Sequence, residues 1–253
     1  MIQAILDRAV ALARPAAEQG APASYIPELA KTDPRQLGAC IFTLDGGRFS
    51  SGDTQVRFSI QSISKVISLA VALERCGYET VFSQVGMEPS GDPFNSLVRL
   101  ESSESHPSNP MINSGAIAVD SYLEPVISFE EMLSFTRELC MDPEIRLDER
   151  VYRSEMYNIS RNRAIAYFMK STQIIDGDVE QLLDEYFRLC SVKVNCRDLA
   201  VMAATLANGG KNPVTGLCCA QKSHCKTAMA VMVSCGMYGQ SGEFLVRTGM
   251  PAK

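Results

Sequence analysis

The sequence contains no apolar run long enough to cross a membrane. Its longest near-apolar stretch, from Val66 to Leu73, is interrupted by Ser68 and falls far short of the ~20 residues that a spanning helix needs. The N-terminal segment also lacks the uncharged core of a signal peptide, because Asp7 and Arg8 stand where that core would be. These absences predict a cytoplasmic protein that does not associate with membranes.

The chain also has little positive charge and little histidine. Lys and Arg number 24 against 29 Asp and Glu, a net charge of −5, which argues against a nucleic-acid partner because such proteins usually carry a basic patch. His106 and His224 are the only histidines, and neither C-x-x-C nor H-E-x-x-H occurs, so we expect no metal site. The nine cysteines lie mostly in apolar stretches, which predicts reduced thiols packed as small hydrophobic residues.

What remains is the composition of an ordinary globular protein. Of the 253 residues, 46% are hydrophobic and 21% are charged, which excludes a disordered chain. At roughly 150 residues per domain, the length predicts one large domain or two small ones.

The first quarter of the chain predicts a helix, a hairpin and a second helix. The first helix begins at Ile2 and is stopped by Pro15. A strand is predicted over 39–44, followed by a glycine-rich hairpin turn at 45–47. A second strand pattern covers 55–60. A helix over 63–75 then ends before Gly77, which suits the positive φ of a helix stop.

The middle of the chain is predicted to be helical. Ser128 opens a helix that runs to about Met141, through an S-x-x-E capping box. Further helices are predicted at 163–170, 178–189, 198–207 and 223–235. A last strand is predicted over 244–247. Strands near both ends with helices between them indicate an α+β fold, with a sheet interrupted by a helical insertion.

One short motif is suited to covalent chemistry. Ser62 and Lys65 form an S-x-x-K pair, whose spacing places both side chains on one helix face within hydrogen-bond reach. A serine hydroxyl becomes a good nucleophile when a base takes its proton, and a buried lysine with a lowered pKa can be that base. Ser223 and Lys226 share the spacing, but there Ser223 is expected to be a helix N-cap, and an ordinary helix start is the alternative for Ser62 too.

Other polar residues occur where a binding site would need them. The loop over 106–116 is constrained by two prolines and a glycine, which aim Asn109 and Asn113, although Asn113 is equally explained as a helix cap. Glu155 is either a partner for a cation or a solvated surface acid. Tyr238 lies in a glycine-flanked turn, where an exposed loop tyrosine is the alternative.

Nine stretches, spread in order over nearly the whole chain, match one known family. They are 24–30, 61–65, 88–91, 109–116, 154–155, 189–192, 201–210, 234–238 and 249–253. On these residues the chain resembles the serine-dependent glutaminases, which share the serine β-lactamase/transpeptidase fold. The resemblance implies one domain over 1–253, in which an antiparallel sheet flanked by helices carries an inserted all-helical subdomain. The sheet subdomain would cover about 1–60 and 215–253, and the helical subdomain about 61–214.

The resemblance implies hydrolysis of L-glutamine to L-glutamate and ammonia, without a cofactor and by a homo-oligomer, a tetramer. Ser62 would attack the side-chain amide as a nucleophile, and Lys65 would take its proton. Tyr238, with Tyr25 nearby, would relay protons to the leaving ammonia. The substrate would be held by Gln61, Ser62, Asn113, Glu155, Asn162, Tyr186 and Tyr238. A carboxylate suits the α-ammonium of glutamine, and amide and phenol donors suit its α-carboxylate.

The related β-lactamases and transpeptidases use three motifs, of which this sequence supplies two. Ser62 and Lys65 fit the first, and Ser160 to Asn162 fit the S-x-N pattern of the second. The third, K-[ST]-G on an edge strand that contributes to the oxyanion hole, would begin at Lys253, where the sequence ends. Since loss of one oxyanion donor costs about 100- to 1,000-fold in rate, we expect little activity from these 253 residues. Loss of the strand would also leave an unpaired sheet edge and open the core, so we expect poor solubility.

Two alternatives stay open at this stage. The first is another enzyme of the same fold, a β-lactamase or a cell-wall carboxypeptidase, which would need an export signal. The second is a non-catalytic remnant that binds glutamine or a partner subunit and releases no ammonia.

Overall fold

The N-terminal part of the protein is a helix packed on a β-hairpin. A computed structural model describes residues 1–97, 100–101 and 106–253. Helix α1 (Ile2–Ala13) lies against β1 (Gly38–Phe42) and β2 (Arg48–Gly52), which pair antiparallel with Gly38 opposite Gly52. As expected, the chain leaves the α-helix just before Pro15, where a short 3₁₀ segment begins.

A second, small sheet leads into the central helix. Strand β3 (Phe58–Ser59) pairs with β5 (Val192–Val194), which also pairs with β4 (Arg146–Leu147), all antiparallel. These two- and three-residue strands are too short to show the alternating pattern that identifies a strand in a sequence, and neither β4 nor β5 was expected. Their role is local, since β3 delivers the chain to the S-x-x-K motif.

Helix α2 (Ser64–Arg75) forms the centre of the molecule. Every residue from Ser64 to Leu73 is buried, including the polar Lys65 and Ser68. The helix ends where expected, with Gly77 at a φ of +83° directly after its C-cap. A helix buried on all sides needs partners on all sides, and α2 therefore organises the rest of the fold.

Nine further helices complete the described part of the fold. They are α3 (Tyr78–Ser83), α4 (Asn113–Leu123), α5 (Phe129–Cys140), α6 (Glu149–Tyr157), α7 (Ser160–Ser171), α8 (Val179–Cys190), α9 (Cys196–Ala207), α10 (Lys222–Cys235) and α11 (Ser241–Thr248). Helices α4 and α10 pack directly on α2, and α4 also contacts α7 and α8. The capping box predicted at Ser128 is confirmed, since its hydroxyl accepts from the Glu131 N–H and the Glu131 carboxylate accepts from the Ser128 N–H. None of the helices described here is long and apolar enough to span a bilayer.

Two local predictions were wrong, and one alternative interpretation is excluded. The expected strand over 244–247 is part of α11, because Glu243 and Arg247 pair across one helical turn at 2.8 Å and Gly249 ends the helix in the left-handed region. Ser223 is not the N-cap of α10, which begins one residue earlier without a side-chain cap. Asn113 does not cap α4 either, since Ile112 holds that position and the Asn113 side chain is used elsewhere.

Candidate active site

The S-x-x-K motif lies at a strained turn between β3 and α2. Gln61 adopts a φ of +50°, which non-glycine residues rarely do, and residues Gln61–Ile63 form a single 3₁₀ turn before the α-helix begins. Backbone strain of this kind persists only where neighbouring contacts hold it in place. Its effect is to present the half-buried Ser62 at the start of the central helix.

Lys65 is buried beneath Ser62 and contacts it directly. Its Nζ donates to Ser62 Oγ at 2.9 Å and to Asn113 Oδ1 at 2.8 Å, and the residue is only 2% exposed. Burial lowers the pKa of Lys65 to about 8. A lysine in this state is partly neutral near physiological pH, so it is able to take a proton from the serine hydroxyl.

A chain of amide groups extends from Lys65 across three helices. Asn113, at the start of α4, accepts from Lys65 and donates through Nδ2 to Asn162 Oδ1 on α7 at 2.9 Å. Gly115 permits this arrangement, since a Cβ at that position would lie 1.9 Å from the carbonyl oxygen of Asn109. The structure thus brings Asn113 and Asn162 together, whereas Ser160 of the expected S-x-N motif is exposed.

Glu155 on α6 is a buried carboxylate and not a surface acid. It is 7% exposed, and its Oε1 accepts from the Gln61 Nε2 at 2.9 Å. Burial raises the pKa of Glu155, and both the bond from Gln61 and the charge of Lys65 oppose this rise. The contact explains how the strained backbone of Gln61 is held, and it orients the carboxylate beside the serine.

Tyr238 faces Ser62 from the turn between α10 and α11. Its φ is +54°, and its ring stacks on Phe94 with the ring centroids 5.2 Å apart. Burial raises the pKa of Tyr238, while a side-chain hydrogen bond with Ser62 partly lowers it. The phenol is therefore protonated at neutral pH and lies where it can exchange a proton with the serine oxygen.

Two further tyrosines complete the set expected from the sequence. Tyr186 on α8 is 4% exposed, and burial raises its pKa well above the ordinary value. Tyr25 lies at the rim with 65% of its surface exposed, and its backbone carbonyl accepts from Asn158 Nδ2 at 3.1 Å. Partial burial raises the pKa of Tyr25, as do the nearby Glu155 and Tyr238. Both tyrosines thus lie within electrostatic reach of Glu155 and Tyr238.

The structure adds Lys253, which the sequence did not single out as a site residue. Lys253 Nζ donates to the Met111 carbonyl at 3.1 Å and lies 3.8 Å from the ring centroid of Tyr238. Burial and the charge of Lys65 lower the pKa of Lys253 to about 6. The sequence offered one signal for this position, since Lys253 stands at the start of the expected third motif. Because its pKa is low, Lys253 packs against the Tyr238 ring mainly as a neutral amine.

The arrangement is suited to serine-dependent acyl transfer. It combines a nucleophile, a buried base in contact with it, a phenol on the opposite side and a buried carboxylate nearby. Among the described residues, no group of three or more His, Cys, Asp or Glu side chains is arranged to hold a metal ion.

Comparison with known proteins gives the same picture over nearly the whole chain. The glutaminase family model matches residues 20–253. The glutaminase of Clostridium tetani (strain Massachusetts / E88) is 46% identical over 257 residues, an alignment that covers 100% of this chain and 84% of the relative. The chain belongs to the glutaminase family. It is therefore a hydrolase. The glutaminase of Clostridium botulinum (strain Loch Maree / Type A3) is similar as well, at 47% identity over 93% of this chain and 78% of that protein.

Solved structures confirm the expected β-lactamase-like fold. A Bacillus glutaminase crystallised with 4.3 M NaCl superposes with a TM-score of 0.90 at 36% identity, covering 100% of this chain and 82% of that one. A probable glutaminase from Bacillus subtilis, complexed with 6-diazo-5-oxo-L-norleucine, gives a TM-score of 0.89 at 36% identity, over 99% of this chain and 78% of that one.

Proposed function

We propose that this chain hydrolyses L-glutamine to L-glutamate and ammonia through an ester formed on Ser62. The observation that carries the proposal is the 2.9 Å contact between the Lys65 amine and the Ser62 hydroxyl in a buried setting. Family membership supports the reaction, and the contact supports the way in which it is carried out. No cofactor is needed for it.

In the first half of the reaction, Ser62 Oγ attacks the Cδ of the glutamine side-chain amide while Lys65 Nζ takes the hydroxyl proton. The C–N bond then breaks, and the proton held by Lys65 passes through the Tyr238 hydroxyl to the leaving nitrogen, which departs as ammonia. In the second half, water attacks the γ-glutamyl ester and returns the proton to Ser62 Oγ, which releases glutamate. Tyr25, at the rim, assists the transfer of protons to the leaving group.

The remaining residues bind the amino-acid end of the substrate. Glu155 pairs with the α-ammonium, because it is the buried carboxylate that Gln61 aims at the site. Asn113, Asn162 and Tyr186 provide amide and phenol donors for the α-carboxylate. A buried site that must pair both charged groups discriminates against amides that lack them, since an unpaired buried charge is costly.

The test compares Ser62→Ala with Ser223→Ala, the serine of the second S-x-x-K motif. Ammonia release from L-glutamine is measured for each variant and the wild type. Each of these proteins is also treated with 6-diazo-5-oxo-L-norleucine, an amino acid that carries a diazoketone. The modified residue is located by peptide mass spectrometry. We expect the label on Ser62, with loss of both label and turnover in Ser62→Ala alone.

Activity that survives in Ser62→Ala would overturn the proposal, as would a label on any other residue. A wild-type chain that neither turns over glutamine nor takes the label would overturn it too. Heat evolved on glutamine binding without ammonia release or labelling would favour a binding protein instead.

A further inference from the structure

Asp120 is a buried acid that the proposed reaction does not use. It lies on α4, two helical turns after Asn113, so both side chains share the face that packs against α2. It is 5% exposed and forms a side-chain hydrogen bond with Ser68, which lies one turn after Lys65 on α2. Its second oxygen, Oδ1, has no hydrogen-bond partner within the described part of the chain. A buried carboxyl of this kind destabilises the fold unless hydrogen bonds or an opposite charge compensate for its lost hydration.

The groups that face Asp120 include one cation. From α2 it faces Lys65, and from α8 it faces Glu185, with Tyr186 and Cys190 also within electrostatic reach. Burial raises the pKa of Asp120 to about 7, the charge of Glu185 adds to this, and Ser68 and Lys65 oppose it. Because this pKa lies below the pKa of about 8 of Lys65, Asp120 is mostly ionised where Lys65 gains and loses its proton.

We propose that Asp120 is a positioning residue for the reaction, whose carboxylate stabilises the ammonium that Lys65 becomes when it takes the Ser62 proton. This rests on the function proposed above. Burial alone favours neutral lysine so strongly that the amine would be a weak base. A carboxylate behind it offsets part of that effect, and it does so most when the charge on Lys65 is largest.

The other groups near Lys65 cannot take this role. Cys190 has the largest electrostatic effect on Lys65 after burial, but burial raises the pKa of its thiol to about 12, so the thiol is neutral during the reaction. Glu155 is occupied with the Gln61 amide and, in the proposed complex, with the substrate ammonium. Lys253, whose own pKa is lowered by the charge of Lys65, is an amine and supplies no negative charge. Asp120 is left as the negative charge that substrate binding does not neutralise.

The test is the pH dependence of Asp120→Asn, a substitution of nearly equal size. We follow kcat/KM for ammonia release and, independently, the rate at which 6-diazo-5-oxo-L-norleucine labels Ser62. Removing the charge should move the acid limb of both profiles down by about one pH unit, because Lys65 loses its proton more easily. The plateau should fall roughly three- to tenfold, because the base is weaker.

Two further variants keep the inference falsifiable. Ser68→Ala removes the hydrogen bond that favours the charged form of Asp120, so its acid limb should move in the same direction by a smaller amount. Glu185→Gln removes a neighbouring acid that faces Asp120, and its acid limb should stay in place or move slightly up. Thermal unfolding of each variant shows whether it is folded. If Asp120→Asn is not folded, the acid limb of Ser68→Ala tests the role of Asp120.

An acid limb that stays in place in Asp120→Asn and Ser68→Ala would overturn the inference. So would an equal downward shift in Glu185→Gln, which would indicate a general effect of charge. If labelling does not require Ser62, the proposed function fails. If it does require Ser62 and the limb does not move, only the role of Asp120 fails.

Discussion

At the scale of single residues, Lys65 determines what the site can do. A lysine almost completely removed from water resists protonation, and the pKa of about 8 follows from that burial. The hydrogen bonds that the amine donates to Ser62 and Asn113 fix its position but do not replace the hydration that it has lost. The same burial that makes Lys65 a base also lowers the stability of the folded state.

We predict that Lys65→Met abolishes turnover and raises the melting temperature at pH 7. Because the pKa of Lys65 is about 8 in the folded protein and about 10.5 when unfolded, the wild type bears the full cost of a buried charge below pH 8. That cost, about 1–3 kcal/mol, disappears as the pH rises from 8 towards 10.5. Thermal unfolding at pH 7 and pH 9.5 measures it.

The matched control is Lys226→Met, in the second S-x-x-K motif, where the lysine is exposed. It should leave both activity and the pH dependence of unfolding unchanged. Turnover by Lys65→Met would exclude this lysine as the base, and a stability difference that does not narrow at high pH would exclude the burial argument.

At the scale of elements, the turn after α10 carries Tyr238 and brings it to the residues at the start of α2. Gly236 allows the close approach of the segment over 250–253, since a Cβ there would lie 1.8 Å from the Ala252 carbonyl oxygen. That segment in turn places Lys253 against the Tyr238 ring. The position of the phenol therefore depends on a glycine two residues away.

We predict that Gly236→Ala lowers activity at least tenfold while the protein remains folded. The added methyl displaces the 250–253 segment and with it the support of Tyr238, at a cost of about 1–3 kcal/mol in stability. Gly239→Ala is the control, because a Cβ at that position meets no atom within 4 Å. Steady-state kinetics and thermal unfolding of the two variants give the comparison, and equal activities would contradict it.

Element type was easier to predict than element contacts. The capping box at Ser128 and the stop at Gly77 are local signals, and both are confirmed. The stretch over 244–247 was wrongly predicted because a run of four residues with one aromatic and one β-branched side chain fits a strand or a helix equally well. Gly249, directly after the last helical residue, was the signal that would have corrected it.

The same limit applies to the candidate site. Ser62 and Lys65 are neighbours along a helix, so their contact follows from spacing. The contacts of Glu155 with Gln61 and of Asp120 with Ser68 join different helices, and one sequence contains no information about such pairings. A resemblance to a family can point to Gln61 and Glu155, because site residues transfer residue by residue. It did not point to Asp120 and Ser68.

At the scale of the whole molecule, one cation joins the small sheet to two helices. Arg57, next to β3, lies 2.6 Å from Asp142 after α5 and 3.6 Å from Asp198 on α9. Burial, together with the charge of Asp142, raises the pKa of Asp198 to about 6. The cluster fixes the approach of β3, and hence of Ser62, to the helical body.

We predict that Arg57→Gln lowers the melting temperature more at pH 8 than at pH 5. At pH 8 the variant holds two ionised carboxylates without their partner, at a cost of about 1–3 kcal/mol, while protonation of Asp198 below about pH 6 relieves part of it. Arg35→Gln, which breaks an exposed pair with Asp33, should change stability little at either pH. A loss that is independent of pH would contradict the assignment.

The positions of Ser62 and Tyr238 along the chain bear on how the site is assembled. Ser62 and Lys65 meet within one helical turn, so their contact closes almost no loop and can form as soon as α2 does. Tyr238 comes from beyond α10, and a contact between such distant segments pays the entropy of closing a long loop. We therefore expect the nucleophile and its base to come together before the long-range contact of Tyr238 completes the site.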